Sequence, residues 1–384
     1  PEKKKKEKKK WPKEGHEPSF RALLPESEVT ETKELYPEAF CGCGGEVKPT
    51  EEKPERKQFF GLPKIKPIVT ELHLNTGRCL KCGKLHKAAI PKEYGNGILL
   101  TDAMSWIGLL SGKFHLSKRK IKAIFQDLLN LPISLGTISK TEERISQALR
   151  KPYEEALAHI KTEPVVHMDE TGHKEKKKKG WVWLCATKNL AVFLIAFSRG
   201  IEIAKSILTE SFKGILESDR WGAYSFIEAI GRQLCWAHLK RDFTKISERM
   251  GISAEIGNKL LKYIQRMFKL WKEYKQGKIS RITLQKQMKP ARSGILYLLG
   301  TGASCGHKKT EAVCKRLLNL QAALFTFVDV EGVEPTNNHA EQLIRPYAIW
   351  RKISFFTQSE SGNRFIERIL TVCASCSLQK IQMI

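Results

Sequence analysis

The sequence has no apolar run long enough to cross a bilayer. Its longest stretches, such as AVFLIAF at 191–197, fall far short of the roughly 20 residues that a spanning helix needs. It is also short of negative charge, with 41 Asp and Glu against 67 Lys and Arg, a net charge of +26. Solubility does not require an excess of that size. It implies a polyanionic partner, above all nucleic acid, because neutralising phosphates releases counterions. An anionic membrane surface would attract the same charge, but with no spanning run a membrane partner is not expected. The opening PEKKKKEKKKW has no apolar core behind it, so no secretory signal is expected. Pro rather than Met at position 1 is what a truncated chain, or part of a longer reading frame, would show. No internal repeat is found.

At 384 residues the chain exceeds one ordinary core, so two or three domains are expected. Residues 1–38, rich in Lys, Glu and Pro, read as a basic disordered tail. Ten cysteines are unevenly spread, and four precede residue 90: Cys41, Cys43, Cys79 and Cys82. Without a secretory signal, clustered pairs suggest metal rather than disulfides. Each pair adjoins glycines that permit a tight knuckle, and four thiolates suit tetrahedral Zn²⁺ bound between the arms of a hairpin. Residues 39–92 are therefore read as a zinc-binding module, with KPIVTELHLNTGR as an extended segment and His86 as a surface residue, a substitute ligand being the alternative. Four unrelated free thiols are the bland alternative.

Residues 97–152 read as a helix-turn-helix region. The first helix would turn Ile121, Ile124, Leu128 and Leu129 inward and end near Asn130, before Pro132. Ser134 would cap a second helix carrying Ile138, Ile145 and Leu149 inward. Thr137, Ser139, Lys140 and Arg144 would then face a major groove.

From 160 to 384 the pattern becomes α/β. Strands are expected at PVVHMDE, GWVWLCAT, AVFLIAFS, GILESD and RQLCWAH, with helices at 201–212 and 224–230 between the later ones. Short turns make the first three antiparallel, and crossovers make the others parallel. Helices fill 240–330, and a last one lies near 337–352, capped by Asn337 or Asn338. Asp169 ends the first strand, Asp219 the fourth, and Glu341 stands in the first turn of the last helix. A carboxylate before a turn is ordinarily a turn or cap residue. Three that converge would hold two Mg²⁺ (or Mn²⁺) ions, since hard cations take oxygen ligands and a metal pair serves phosphodiester chemistry. Basic residues surround these positions in sequence: Lys174 to Lys179, Arg199, Arg220, Lys240, Arg241, Arg345, Arg351 and Lys352.

The ordered segments MDETG (168–172), GWVWLCAT (180–187), SRG (198–200), SDRWGAY (218–224), CWAHLKRDF (235–243), NNHAEQLIRP (337–346) and WRK (350–352) resemble the insertion-sequence "sixty-six" group of bacterial transposases, the TnpC type. The resemblance runs from about 38 to 380. It implies an RNase H-like mixed-sheet DDE catalytic domain with a helical insertion at about 245–330, preceded by a zinc module and helix-turn-helix. It places the triad on Asp169, Asp219 and Glu341. It further implies binding of terminal inverted repeats, Mg²⁺-dependent strand cleavage and transfer, assembly as a homo-oligomer on DNA, and accessory transposition proteins in a bacterial, nucleoid-associated cytoplasmic setting. Arg220-Trp221 departs from the family's usual Gly-Tyr type step, and the family's N-terminal coiled coil is missing. Lys240, Arg241, Arg345 and Arg351 are the DNA contacts expected near the triad. Rival readings are a catalytically inactive or domesticated DNA-binding regulator, and an RNase H-like nuclease that does not join strands.

Several residues are assigned bland roles. Glu170 and Glu217 are set aside because strand alternation would point them away from their neighbours. Cys235 and His238 read as packing beside the site, with phosphate contact by His238 or His339 a lesser alternative. Cys373 and Cys376 read as core thiols, and Lys176 to Lys179 as a solvated hairpin tip, with DNA contact there the alternative.

Overall fold

The computed structural model describes residues 21–50, 53–95 and 97–383. They fall into two compact units that divide between residues 64 and 65, each described by itself. The expected tail lies outside the described residues up to position 20. In the first unit, Glu26–Glu28 form a 3-10 turn. Leu24 is clasped by Gln58: its N–H donates to Oε1 at 2.9 Å, and its carbonyl accepts from Nε2 at 3.0 Å.

The second unit opens with a hairpin of β1 (Thr76–Arg78) and β2 (Leu85–Lys87). Helices α1 (Thr101–Gly112), α2 (Lys118–Asp127), α3 (Leu135–Ala148) and α4 (Arg150–His159) follow. Next come β3 (Val165–Glu175), β4 (Lys178–Ala186), β5 (Ala191–Ala196), α5 (Ile201–Ile207), β6 (Ile215–Ser218) and β7 (Arg232–Leu234). The rest is helical: α6 (Trp236–Ser247), α7 (Ile252–Lys275), α8 (Arg281–Gly302), α9 (Lys308–Asn319), α10 (Thr326–Asp329), α11 (Asn338–Ser354) and α12 (Glu360–Leu378). Among the described residues, no helix is long and apolar enough to cross a membrane.

The main sheet has the order β5-β4-β3-β6-β7, antiparallel across β5-β4-β3 and parallel across β3-β6-β7. The connection lengths predict this mixture. Four local expectations fail. No helix fills 224–230; Gly222–Tyr224 and Ala229–Gly231 are 3-10 turns. The 201–212 helix stops at Ile207, beyond which Thr209 and Ser211 bond to each other at 2.8 Å, a local competitor to helical pairing. CWAH is not strand: β7 ends at Leu234, and Cys235 is the N-cap of α6. Asp169 does not end its strand either, because β3 continues six residues past it, paired with β4 as far as Glu175 with Lys178.

One face of the sheet, with Val182, Leu184, Phe193 and Ile195, is covered by Ile344, Tyr347, Ile366 and Ile369 of α11 and α12. The other, with Val166, Met168, Trp183 and Cys185, lies under Tyr153 of α4 and Ala204 and Ile207 of α5. Helices α6 to α9 bury their own stripe, including Leu260, Ile264, Leu284, Ile295 and Leu317.

α12 also solves the problem of the exposed edge strand. Ser375, Thr371 and Glu367 accept the backbone N–H groups of Ala191, Phe193 and Ile195 at 3.1, 3.0 and 2.5 Å. Four helical residues advance about 6 Å and two strand residues about 6.6 Å, so a polar stripe at i, i+4, i+8 matches alternate N–H groups along β5. An edge that would otherwise template pairing is closed.

In the helical region, Ser117 and Ser134 cap α2 and α3 by accepting the N–H groups of Lys120 and Thr137. Ile107, Ile121, Phe125 and Ile138 form the core. Leu128 was expected inward but is exposed, because α2 ends at Asp127 and the chain turns at Asn130, whose φ is +52°. Phe125 takes the buried place. Ile145 and Leu149 pack not on α2 but against the cluster under α12. α1 meets α12 at Gly112, where a Cβ would collide with Ile369 and approach Cys373 Sγ to 2.9 Å.

Gly112→Val should therefore lower unfolding free energy by about 1–3 kcal/mol in a urea titration, through overpacking at the α1–α12 contact. Glu367→Ala leaves the Ile195 N–H unpaired and should cost about 1–3 kcal/mol, whereas Glu367→Gln keeps an acceptor. Burial pushes Glu367 up to about 7. Its folded value exceeds its unfolded one, so its contribution is present below about 4.5 and is lost as pH rises through about 7. The Gln variant should lack that slope in stability measured from pH 4 to 8.

Candidate active site

Residues 165, 166 and 167 of β3 pair with 215, 216 and 217 of β6. Extended by two residues, that parallel register sets Asp169 level with Asp219, where β6 has ended and β3 runs on. Asp169 pairs with Leu184 across β4 and so shares the sheet face covered by α11. Glu341 stands in the first turn of α11 on that side. Backbone bonds hold the aspartates: Asp169 Oδ1 accepts the Glu170 N–H at 2.9 Å, and Asp219 Oδ1 accepts the Trp221 N–H at 2.7 Å.

Asp169 feels its acidic neighbours. Burial, then the charge of Glu170, with Asp219 and Glu341 adding to it, pushes Asp169 up to about 7, against an opposing N–H bond from Glu170. Among the described residues no Lys or Arg side chain pairs with Asp169, Asp219 or Glu341, and the His238 imidazole stands 3.6 Å from Glu341 without a hydrogen bond. Hard, negatively charged oxygens suit a divalent cation such as Mg²⁺, although among the described residues these three carboxylates are not a group whose ligand atoms all lie within 4.8 Å of one another.

The neighbours sort by strand face. Glu170 points to the opposite face, as alternation predicts. There Arg199 Nε donates to it at 2.8 Å and the Tyr224 hydroxyl at 2.5 Å. Burial raises Glu170 even so. The alternation argument does not hold for Glu217, which is two residues from Asp219 and therefore on the same face. Glu217 is set apart instead by depth: it is buried, accepts the Glu334 N–H at 2.7 Å and lies 3.3 Å from His167 Nδ1. Burial pushes the carboxyl up to about 9 and the imidazole down to about 4, so the two groups sit beside each other uncharged near neutrality.

Asn337 is the residue that the sequence reading undervalued. It occupies the N-cap position of α11, but its side chain makes no cap bond. Its Nδ2 instead donates to the Met168 carbonyl at 2.7 Å, its Oδ1 meets His167 Nδ1 at 3.2 Å, and its N–H donates to Cys235 Sγ at 3.2 Å. The start of α11, and Glu341 with it, is thus tied to β3 and to the start of α6. The paired Asn residues signalled a helix start, but nothing in the sequence indicated a crosslink. His339 Nε2 contacts the Thr187 carbonyl at 2.7 Å.

The basic residues are placed unequally. Lys240, Arg241, Arg345 and Lys352 are exposed. Arg351 is held across β3 by the Thr171 hydroxyl at 2.8 Å and by the Gly172 carbonyl, Arg220 pairs with Asp242, and Arg199 lies 4.0 Å from the Trp221 ring centre. Lys176 and Lys177 form the β3–β4 turn, with Lys176 at φ +52°. On α3, Lys140 and Arg144 are exposed, Ser139 accepts from Lys118 Nζ at 2.8 Å, and Thr137 is half-buried with its hydroxyl 2.9 Å from Ser134 Oγ.

The cysteine pairs fall in separate units. At the first, Gly44 closes a turn at φ +89°, and the Gly45 N–H holds the Cys43 thiol below its usual value. The second pair sits in the β1–β2 turn rather than on a hairpin arm. There N–H groups of Cys82 and Lys81 lower Cys79, and Gly83 adopts φ +72°. Only Thr76–Arg78 of the expected extended segment is strand, and His86 is exposed on β2. Cys373 is buried and Cys376 partly so.

Asn337→Ala should lower stability by about 1–3 kcal/mol, since buried partners lose their bonds. Asn337→Asp, with Oδ1 retained but Nδ2 lost, should do no better. Thermal melts of the two variants beside wild type decide this; unchanged melting would mean that the crosslink holds nothing.

Residues 97–364 match the family model described as "Transposase IS66 family". The match covers the helical region, the sheet and all three carboxylates, and begins after both cysteine pairs. A curated relative, "Uncharacterized protein y4qI" of Sinorhizobium fredii (strain NBRC 101917 / NGR234), is 27% identical over 232 residues, 54% of this chain and 42% of that protein. The match thus spans less than half of that relative's length. With the family model covering more than half of the chain, this protein belongs to the IS66 family of transposases.

Proposed function

We propose that this chain is a DDE-type DNA transposase with an RNase H-like catalytic domain, acting on the ends of its own element. The reading rests on one observation. Asp169 of β3, Asp219 after β6 and Glu341 of α11 gather on one side of a mixed sheet, close enough for the second and third to raise the first. Family membership supplies the reaction class.

In this reading the three carboxylates hold Mg²⁺ or Mn²⁺, which when bound activates the attacking oxygen and neutralises phosphate charge. The protein's share is positioning. Backbone bonds fix Asp169 and Asp219, while Asn337 anchors the helix that carries Glu341. Exposed Lys240, Arg241 and Arg345 supply positive charge for the phosphates, and Arg351 braces α11 against β3. α2 and α3 act as the helix-turn-helix, with Lys140 and Arg144 as its free cations and Ser139 and Thr137 bonded to neighbours within the fold. Cys41 with Cys43, and Cys79 with Cys82, are each a thiolate pair suited to zinc, supported in each pair by a glycine turn and N–H groups that favour thiolate. The substrates are the terminal repeats and a target DNA. A water-derived nick frees a 3′ hydroxyl, which then attacks the target strand. Assembly of copies on DNA and accessory proteins belong to this proposal.

Asp169→Asn, Asp219→Asn and Glu341→Gln should each lower Mg²⁺-dependent cleavage and joining of end-containing DNA by about 10²-fold or more, some 2.7 kcal/mol of barrier. Binding of the same DNA should persist. Wild type and Glu341→Gln equally inactive, with both still binding, would make the protein a regulator. Cleavage without joining, indifferent to the element's ends, would make it a nuclease.

A further inference from the structure

His238 Nδ1 and Glu341 Oε1 are both enclosed and have no hydrogen-bond partner, yet stand 3.6 Å apart. That gap is too long for a hydrogen bond. It is close to the edge of a zinc tetrahedron, where N and O ligands with bonds of roughly 2.0–2.2 Å lie roughly 3.3–3.5 Å apart. Cys235 completes the group: donor atoms of Cys235, His238 and Glu341 all lie within 4.8 Å of one another. Among the described residues this is the cluster of such side chains close enough to hold an ion.

We propose that Cys235, His238 and Glu341 form a transition-metal site, for a zinc-class ion, that shares Glu341 with the three-carboxylate centre. The ligand chemistry separates the two sites. A thiolate and an imidazole select zinc or cobalt, whereas the aspartates select magnesium or manganese. The scaffold is preset as well. Cys235 caps α6 and His238 lies in its first turn, so an i, i+3 spacing puts both on one helical face. Glu341 faces them from the first turn of α11. The Asn337 N–H on Cys235 Sγ at 3.2 Å is the kind of outer bond that orients a ligating sulfur. Three protein ligands leave a fourth position open, as catalytic rather than structural zinc sites do.

Sharing has a consequence. An ion bound to Cys235 and His238 takes Glu341 Oε1, so transition-metal occupancy and service to the aspartates draw on one carboxylate. This consequence rests on the reading under Proposed function; the site itself does not.

The test uses the full chain with Cys41, Cys43, Cys79 and Cys82 changed to Ser, which removes the other clustered thiolates, titrated with Co²⁺ alone. A thiolate-to-cobalt charge-transfer absorption is expected, displaced by added Zn²⁺. Cys235→Ser should abolish it, and so should His238→Asn, at a position about a third exposed and tolerant of change. Cys185→Ser, at a buried thiol far from this cluster in sequence, should leave it intact. Absence of the absorption in that background, or its survival in His238→Asn, would overturn the proposal. No DNA enters the measurement, so a chain that bound cobalt but failed to cleave would count against the transposase reading alone.

Discussion

The pairing of β3 with β6 carries more than its three registered residues suggest. Parallel strands reached by a crossover run in the same direction, so equivalent positions finish side by side. An offset of 50 residues sets Asp169 beside Asp219 without any contact between the side chains having to arrange it. Two carboxylates brought together in a half-buried place repel each other, and burial makes the repulsion worse. Asp169 is pushed up to about 7 by burial first, then by Glu170, with Asp219 and Glu341 adding less. The rigidity of the surrounding sheet keeps the arrangement, and the divalent cation of the proposed function would relieve it.

That rigidity is built from both sides. α11 lies over the strand pair, crosslinked by Asn337 to the Met168 carbonyl one residue before Asp169. α12 lies over β5, and its Glu367, Thr371 and Ser375 stand in for the missing neighbour strand. Helical stripes thus do two jobs on one face, apolar packing through Ile366 and Ile369 and hydrogen bonding through the polar positions between them. α1 and α3 rest on the far side of α12, so the helical region and the sheet share this helix through Gly112 and Ser146. A change at α12 is felt in both.

The acidic neighbours show how depth sorts similar groups. Glu170 and Glu217 are as close in sequence to the two aspartates as a carboxylate can usefully be. Glu170 is turned to the opposite face and satisfied by Arg199 and Tyr224, and Glu217 is sunk beneath the site beside a neutral His167. Neither is free to join an ion at the surface of the sheet. Cys235 and His238 make the opposite case, since residues dismissed as packing stand against Glu341, with His238 Nδ1 unclaimed and Cys235 Sγ met by the Asn337 N–H.

Periodicity in the sequence was enough to read the strands, their antiparallel and parallel pairing, the caps at Ser134 and the helix bearing Glu341, because these depend on local pattern and connection length. The ordered motifs pointed to the family for the same reason: each is a short stretch whose spacing survives without the fold. What failed was local detail with a tertiary cause. β3 outruns Asp169 because β4 supplies a partner for its polar end, and Leu128 faces solvent because α2 stops one residue earlier. Asn337 bonds to a strand 169 residues away instead of capping its own helix. Pattern along a chain determines which faces of an element are apolar and where it can start. Only packing decides which polar atoms meet across the sheet, and so which side chains become neighbours of the three carboxylates.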